Sequence, residues 1–396
     1  MLKGKNILLG ITGSIAAYKS VELVRRLKDE GAAVKVVMTE AATHFVSPLT
    51  FEAVSNAAVS TNIFSNSFTH IILSDEAHLF IVAPATANSI AKFACGIADN
   101  LLTALWLSYS GPAIIAPAMN WRMFENLITK MHINNLKKHG VTFVGPCVGS
   151  LACGEREKVG RMAEVHDIIE QANQLLSQKD FFGQKIVITA GPTREYLDPV
   201  RFLSNRSSGK MGFAIARMAL RRGAEVTIIS GPSQEKPPGG AAFLSVETAK
   251  EMESAVTRSL KDKNVLIMTA AVADFKPAST KQSKIKKEEI ASLYLEKTTD
   301  IIKMVGQKKG NLIVVGFAAE TGDIITKAKE KLFKKNLDLV VANDVSLDGA
   351  GFDIDTNIVT IIDRDGQAVD YPMMKKEEIA NIILDKVKRI QNNRTC

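Results

Sequence analysis

Two stretches decide the fold: Asn6-Ile-Leu-Leu-Gly10-Ile-Thr-Gly13-Ser14-Ile-Ala-Ala at the start, and Lys185-Ile-Val-Ile-Thr-Ala-Gly191-Pro-Thr-Arg-Glu195 deep in the chain. Basic residues, a short apolar run and small residues at a chain start imitate a secretion signal. Its recurrence at 185–195 points instead to the first strand of an α/β unit, closed by a glycine turn. The continuation agrees. RRLKDEGAAVKVVMT at 25–39 has a counterpart in MALRRGAEVTIISG at 218–231. Each reads as helix, glycine stop, strand, which is the grammar of a doubly wound sheet.

Outward from these segments, short apolar runs alternate with helix-period segments over connections too long for hairpins, so the sheets are expected to be parallel. In the first half the expected strands are Asn6–Gly10, Val34–Met38, Leu79–Ala83, Ala113–Ala116 and Thr142–Val144. Their continuous apolarity suits burial on both faces. The expected helices are Ser14–Glu30, Ala87–Phe93 and Arg122–His139. Gln171–Lys185 runs from a polar helix end into a charged link before the pattern restarts. The expected domains are therefore 1–180 and 181–396, two Rossmann-like α/β units in line with the two or three domains that 396 residues suggest.

Composition narrows the function. With 46% apolar and 23% charged residues the chain reads as a folded globular protein. No run reaches the ~18 apolar residues of a membrane span, so no membrane partner is expected. Four cysteines, Cys95, Cys147, Cys153 and Cys396, form no CxxC pair, which argues for a reducing cytoplasm and against structural zinc. Cys95 and Cys147 have apolar neighbours and read as buried bystanders. The net charge of +8 is uneven: residues 1–180 carry 16 basic and 15 acidic residues, the remainder 34 and 27. With only 6% aromatic residues a nucleic-acid stacking platform is not expected, and a small polyanion such as a nucleoside triphosphate suits the excess.

Gly10-Ile-Thr-Gly13-Ser14 lets backbone N–H groups hold a phosphate at a helix start. Alone it reads equally as a tight strand-to-helix turn, and it is not the GxGxxG fingerprint. Ala83-Pro84-Ala85-Thr86-Ala87-Asn88 is a second such turn. Two cradles at strand ends suggest a mononucleotide at the switch point. With Pro117-Ala118-Met119-Asn120, Met123 and His70, they make the first half resemble the flavin-containing cysteine decarboxylases, and hence a flavodoxin-like domain. The resemblance implies FMN held by Gly10, Gly13, Ser14, Thr39, Ala85, Thr86, Asn88 and Met119. It implies that Asn120 binds the substrate carboxylate. A lone histidine is more often structural, and His44, His78 and His132 are also present; the match selects His70 as catalytic base. Leu151-Ala152-Cys153-Gly154 with Gly160-Arg161-Met162-Ala163-Glu164 resembles the family's substrate lid, a polar loop with few features of a core segment, with Cys153 as proton donor. By the resemblance, flavin is the electron sink that lets a cysteinyl carboxylate leave as CO2.

In the second half, Phe202-Leu203-Ser204-Asn205-Arg206-Ser207-Ser208-Gly209-Lys210-Met211-Gly212 opens an amphipathic helix. Its serine and glycine N–H groups with Arg201 and Arg206 make an anion site. Residues 276–309 hold nine lysines against four acidic residues. A solvated loop is the plain reading, and a lysine flap over a triphosphate the sharper one. Together with Gly191-Pro192-Thr193-Arg194-Glu195 and Thr269-Ala270-Ala271-Val272-Ala273-Asp274, this half resembles phosphopantothenate–cysteine ligases. The resemblance implies a nucleotide, CTP, contacted by Met268, Thr269, Ala270, Asp274, Lys284, Thr299, Asp300, Ile301, Ile302, Phe317, Lys331 and Lys335. It further implies Asn205 at an acyl-cytidylate, the substrate at Arg201, Arg206, Ser207 and Ser208, and Mg²⁺ with unassigned ligands.

Taken whole, the chain resembles the bifunctional coenzyme A biosynthesis family, a phosphopantothenoylcysteine decarboxylase fused to the ligase. The implied partners are 4′-phosphopantothenate, L-cysteine and CTP, with trimers of the flavin domain, dimers of the ligase domain, and a dodecamer overall. A binding subunit with the same flavin fold is disfavoured by His70, Asn120 and Cys153, and a nicotinamide oxidoreductase by the missing GxGxxG.

Overall fold

The structure is a computed structural model, and it describes residues 2–64, 68–149, 157–286, 292–320, 323–344, 351 and 353–395. The chain divides into two compact units, Met1–Ser177 and Gln178–Cys396.

In the first unit the strands are β1 (Asn6–Ile11), β2 (Ala33–Met38), β3 (Leu79–Ala85), β4 (Ala113–Pro117), β5 (Thr142–Phe143), β6 (Cys147–Gly149) and β7 (Lys158–Arg161). The helices are α1 (Lys19–Asp29), α2 (Glu40–Thr43), α3 (Pro48–Ser55), α4 (Thr69–Glu76), α5 (Ala87–Cys95), α6 (Leu101–Ser108), α7 (Trp121–Glu125), α8 (Leu127–Lys138) and α9 (Val165–Leu176). Strands β1 to β5 form one parallel sheet in the order 2-1-3-4-5, the flavodoxin-like winding. Successive strand residues serve opposite faces: Ile7, Leu9 and Ile11 enter one core cluster, while Leu8 enters the other. Burial of each such side chain contributes roughly 1.5–3 kcal/mol. The strand expectations hold within two residues. The single helix expected at Arg122–His139 is two, because Asn126 turns out of the helix and caps α8 by accepting from the Ile128 N–H.

The second unit contains β8 (Lys185–Ala190), β9 (Arg194–Tyr196), β10 (Phe202–Ser204), β11 (Glu225–Ser230), β12 (Ala242–Ser245), β13 (Val265–Met268), β14 (Phe275–Pro277), β15 (Leu295–Lys297), β16 (Ile313–Glu320), β17 (Leu339–Asp344), β18 (Thr356–Asp363) and β19 (Ala368–Lys375). Its helices are α10 (Lys210–Arg221), α11 (Ala249–Ser259), α12 (Ile301–Gln307), α13 (Ile324–Lys334) and α14 (Lys376–Thr395). The main sheet runs 12-11-8-13-16-17-18-19 in strand numbers. Its first six members are parallel in Rossmann order, and β18 and β19 add an antiparallel edge. Apolar clusters cover both faces, one including Phe213 and Ile383, the other Met252 and Leu332.

Candidate functional site

The first cleft, about 650 Å³, opens where β1, β3 and β4 end. Ligands bind at such a carboxyl edge, at the point where the strand order reverses. Gly13 and Ser14 follow β1, Thr86 and Ala87 follow β3, and Ala118, Met119 and Asn120 follow β4; all line the cleft. Glycine is required at 13, since a Cβ there would lie 2.5 Å from Ala41 Cβ and 3.1 Å from its carbonyl oxygen. Ser14 caps the short 3-10 turn Ile15–Tyr18, its Oγ accepting from the Ala16 N–H at 3.3 Å. Thr86 caps α5 by accepting from the Ser89 N–H.

Thr12, which the motif reading passed over, joins the two turns. Its buried hydroxyl donates to the Pro84 carbonyl at 2.8 Å and accepts from the Thr86 N–H at 3.0 Å. Asn120 caps α7, Oδ1 accepting from the Arg122 N–H at 2.9 Å. The far wall comes from β7: the Met119 N–H donates to the Gly160 carbonyl at 3.0 Å. Lys19 and Arg161 also line the cleft, and neither was assigned a ligand role from sequence.

The other expected flavin contacts fall beneath or beside this lining. Gly10 lies within β1, where a Cβ would strike Leu102, and Ala85 is the buried end of β3. Thr39 caps α2, and Asn88 is exposed on α5. His70, the second residue of α4, accepts from Ser108 Oγ through its carbonyl at 3.1 Å and does not line the cleft. Cys153 lies outside the described residues. Two expectations are corrected. Cys95, the last residue of α5, is exposed, and Cys147, on the two-stranded β6–β7 ribbon, is only half-buried. Within the loop read as non-core, Met162 and Ala163 are each 1% exposed and belong to the main cluster, because β7 folds back onto the sheet.

The second pocket, about 480 Å³, sits at the corresponding edge of the second sheet. Asn205, Ser207, Met268, Thr269, Ala270, Asp274, Thr299, Asp300, Ile301, Ile302, Phe317, Lys331 and Lys335 all line it. Helix α10 reaches this edge because Gly212 carries no side chain: a Cβ there would lie 2.5 Å from Thr269 Oγ1 and 2.7 Å from Ala190 Cβ. Asn205 Nδ2 donates to the Ala271 carbonyl at 3.1 Å. Asp300 caps α12 through the Lys303 N–H and pairs with Lys335 Nζ at 2.8 Å. Lys331 Nζ donates to the Phe317 carbonyl at 2.7 Å.

Arg201, Arg206, Ser208 and Lys284 are not on this wall. Arg206 and Lys284 are exposed. Arg201 forks onto Asp198 with Nε and Nη2 at 2.9 and 2.7 Å, and Nη2 also donates to the Ile285 carbonyl at 2.6 Å. Burial would raise the Asp198 pKa, but the Val200, Arg201 and Ile285 N–H groups and the Arg201 guanidinium outweigh it, holding the carboxyl well below the usual range. The pocket also takes residues that sequence reading did not single out: Lys210, Asn343, Asn357 and Lys376. The last three come from the sheet's far edge, and no local motif marks them. Lys376 is 6% exposed, burial pushes its pKa down, and its Nζ donates to the carbonyls of Gly351 and Ile354. Lys210 Nζ holds the same segment through Asp355 Oδ1 at 2.8 Å, a bond that raises the lysine's pKa. Among the described residues no three His, Cys, Asp or Glu side chains converge as a metal site, and no helix is long and apolar enough to cross a membrane.

A flavodoxin-like unit with a cleft at its switch point, followed by a Rossmann unit with a lysine-lined pocket, defines a two-unit α/β protein of the doubly wound class. Comparison with known proteins is specific. The flavoprotein family matches residues 1–177, and the DNA/pantothenate metabolism flavoprotein C-terminal domain family matches 181–390. The coenzyme A biosynthesis bifunctional protein CoaBC of Bacillus subtilis (strain 168) is 46% identical over 396 residues, 98% of this chain and 97% of that protein. That of Escherichia coli (strain K12) is 43% identical over 396 residues, with the same coverage. A crystal structure of the C-terminal domain of a CoaBC protein is 39% identical, covering 55% of this chain and 100% of that one with a TM-score of 0.48. The chain belongs to the bifunctional coenzyme A biosynthesis family, and it is an enzyme with ligase and decarboxylase activities.

Proposed function

We propose that the second unit joins L-cysteine to 4′-phosphopantothenate using CTP, and that the first unit decarboxylates the resulting phosphopantothenoylcysteine to 4′-phosphopantetheine with FMN. The observation that carries this is the gathering of separate motifs at two switch points: Ser14, Thr86 and Asn120 at one, Asn205, Asp274 and Phe317 at the other. The first cleft suits FMN. Its donors are hydroxyls and backbone N–H groups at the turn after β1, where Gly13 packs directly against Ala41, and Phe45, Met119, Met123 and Met162 offer apolar walls for a flat ring.

When bound, flavin would take a hydride from the thiol-bearing carbon, giving the substrate the thiocarbonyl sink it lacks for the electrons left by CO2, and would return that hydride to form the thiol product. Asn120 binds the carboxylate through its amide, His70 takes the proton from the substrate and Cys153 returns one at the end. His70 lies off the cleft of its own chain, beside exposed Ile71 and Ile72 of α4 and Leu107 of α6. That supports a trimer of the flavin unit in which a second copy supplies His70. The ligase unit forms dimers, giving a dodecamer in the cytoplasm.

In the ligase pocket the phosphopantothenate carboxylate attacks the α-phosphate of CTP and pyrophosphate leaves. The amine of cysteine then attacks the acyl-cytidylate and expels CMP. Asn205 steadies that mixed anhydride, and Lys331 and Lys335 neutralise triphosphate charge. Lys284 closes from a loop anchored at Ile285 by Asp198 and Arg201, so Arg201 acts through the loop. Ser207, Ser208 and Arg206 at the α10 entry take the substrate's anionic end, and Phe317 packs on the nucleotide. Mg²⁺ would enter with the triphosphate, and Asp274, with Asp300 once Lys335 turns to the phosphates, would hold it, because this ion usually keeps waters and takes one or two carboxylates.

The test is incubation with 4′-phosphopantothenate, cysteine and each nucleotide in turn, following pyrophosphate and CO2. His70→Asn should end CO2 release while CTP-dependent ligation persists. Equal loss of both activities would refute independent sites, and a colourless protein that takes up no FMN would refute the flavin reading.

A further inference from the structure

Lys19 opens α1, five residues after the Ser14 cap, and lines the first cleft with Met119, Asn120 and Arg161. Its side chain is 13% exposed, and its Nζ is shielded from solvent and makes no hydrogen bond among the described residues. The paired acceptor is Glu164 Oε1 at 3.7 Å, and Arg161 Nη2 already holds that same oxygen at 2.8 Å. Two cations share one carboxylate, so the group carries one positive charge in excess. The Glu164 side chain is 54% exposed, so water competes for what the Lys19 ammonium lacks. A lysine normally extends its head to solvent along an apolar stem. Holding the ammonium shielded with three unsatisfied donors is costly unless an anion completes the site.

Three anionic groups belong to the decarboxylase reading, on which this inference rests: the flavin phosphate, the substrate carboxylate and the substrate phosphate. The flavin phosphate has the Gly13–Ser14 turn. The carboxylate is a poor candidate, because two cations would stabilise it in the ground state and oppose its loss as CO2. We infer that Lys19 and Arg161 seat the phosphate monoester at the far end of the decarboxylase substrate. A phosphate of about −1.5 to −2 charge balances the excess. Arg161 supplies a planar fork and Lys19 a point charge, a pair suited to phosphate oxygens. Binding energy drawn from this remote group would distinguish the phosphorylated substrate from thiols lacking it.

The experiment compares phosphopantothenoylcysteine with its dephosphorylated form on wild type, Lys19→Met, Lys19→Arg and Arg161→Met, alongside FMN and riboflavin titrations read by flavin fluorescence. Wild type should prefer the phosphorylated substrate in kcat/KM. Lys19→Met should reduce that preference by about tenfold or more, the size of a lost charge-assisted contact, mainly through KM. Lys19→Arg should restore most of it, and the FMN-to-riboflavin affinity ratio should not move. A preference unchanged in both methionine variants would overturn the assignment. So would an FMN affinity falling to that of riboflavin, which would give the pair to the cofactor's phosphate. Wild type that binds no flavin and turns over neither substrate would remove the parent reading and this inference with it. Should Lys19→Met fail to fold, judged by circular dichroism, Arg161→Met at its half-exposed position decides by the same ratio.

Discussion

Gly160 lies directly against Met119: its carbonyl accepts from the Met119 N–H at 3.0 Å, and a Cβ on Gly160 would run into the Met119 carbonyl oxygen. With φ at +151° the residue also occupies backbone space that side chains rarely enter. This contact presses β7 onto the Pro117–Asn120 segment and so closes one wall of the first cleft. Gly160→Ala should therefore lower the stability of the first unit by about 1–3 kcal/mol and weaken flavin binding. Fluorescence titration with FMN should show the loss while ligation, measured as pyrophosphate release, keeps its rate. Unchanged FMN affinity would show that the wall does not depend on this contact.

Asp198 and Arg201 offer a second test, because their clamp holds Ile285 next to Lys284. The folded Asp198 carboxyl has a pKa below its unfolded value of about 3.9. The clamp's contribution is thus complete above about pH 4 and is lost as pH falls through the folded pKa. Across pH 6–9 the clamp should be constant, and Asp198→Asn should raise KM for CTP by about tenfold at every pH in that range. A KM effect that appears only at one end of the range would assign the role to another titrating group.

Much of this was legible in the chain, for local reasons. Gly13, Ser14, Thr86 and Asn120 are caps or turn residues fixed by their immediate neighbours, and Asn205 to Gly212 form one helix entry, so quoted motifs landed on cleft walls. Lys376, Asn343 and Asn357 were not legible, because a sheet eight strands wide carries them to the pocket from its far edge. Arg201 shows what a motif leaves out. Its position beside a helix entry suggested a phosphate ligand, and the sequence did not show that its fork rests on Asp198, three residues earlier. Cys95 sits in an apolar stretch of sequence and is nonetheless exposed, because it ends the helix.

Tyr109 gives a spectroscopic check of the first unit. Burial pushes its phenol up to about 12, and its hydroxyl donates to the Pro112 carbonyl at 3.1 Å. A pKa raised above the unfolded value of about 10 means its stabilisation is complete below pH 10 and is lost as pH rises toward 12. Tyr196, whose hydroxyl donates to Glu247 Oε2 at 2.8 Å, is raised by that bond as well. Absorbance at 295 nm should therefore be followed in Tyr196→Phe, where Tyr109 should ionise late relative to the rest and the double variant with Tyr109→Phe should lose that late step. Its persistence in the double variant would show that another tyrosine carries the shift.

Gly212 tests whether the approach of α10 to the sheet is what makes the ligase pocket. The added Cβ of Gly212→Ala would meet Thr269 Oγ1, Ala190 Cβ and, at 3.1 Å, the Thr189 carbonyl oxygen, three groups on two neighbouring strand ends. Backbone at Thr189 cannot yield without disturbing β8, so the helix must move outward. That displaces Asn205 and Ser207 from the far wall that carries Asp274 and Phe317. The expected result is a fall in ligation of about 100-fold, the scale of an ångström-sized misplacement, with decarboxylation of supplied phosphopantothenoylcysteine unaffected. Helix propensity alone would predict the reverse sign, since alanine is favoured over glycine inside a helix by about 1 kcal/mol. A variant that is more stable and ligates normally would mean that α10 tolerates the shift and that the pocket is set by the strand-end residues alone.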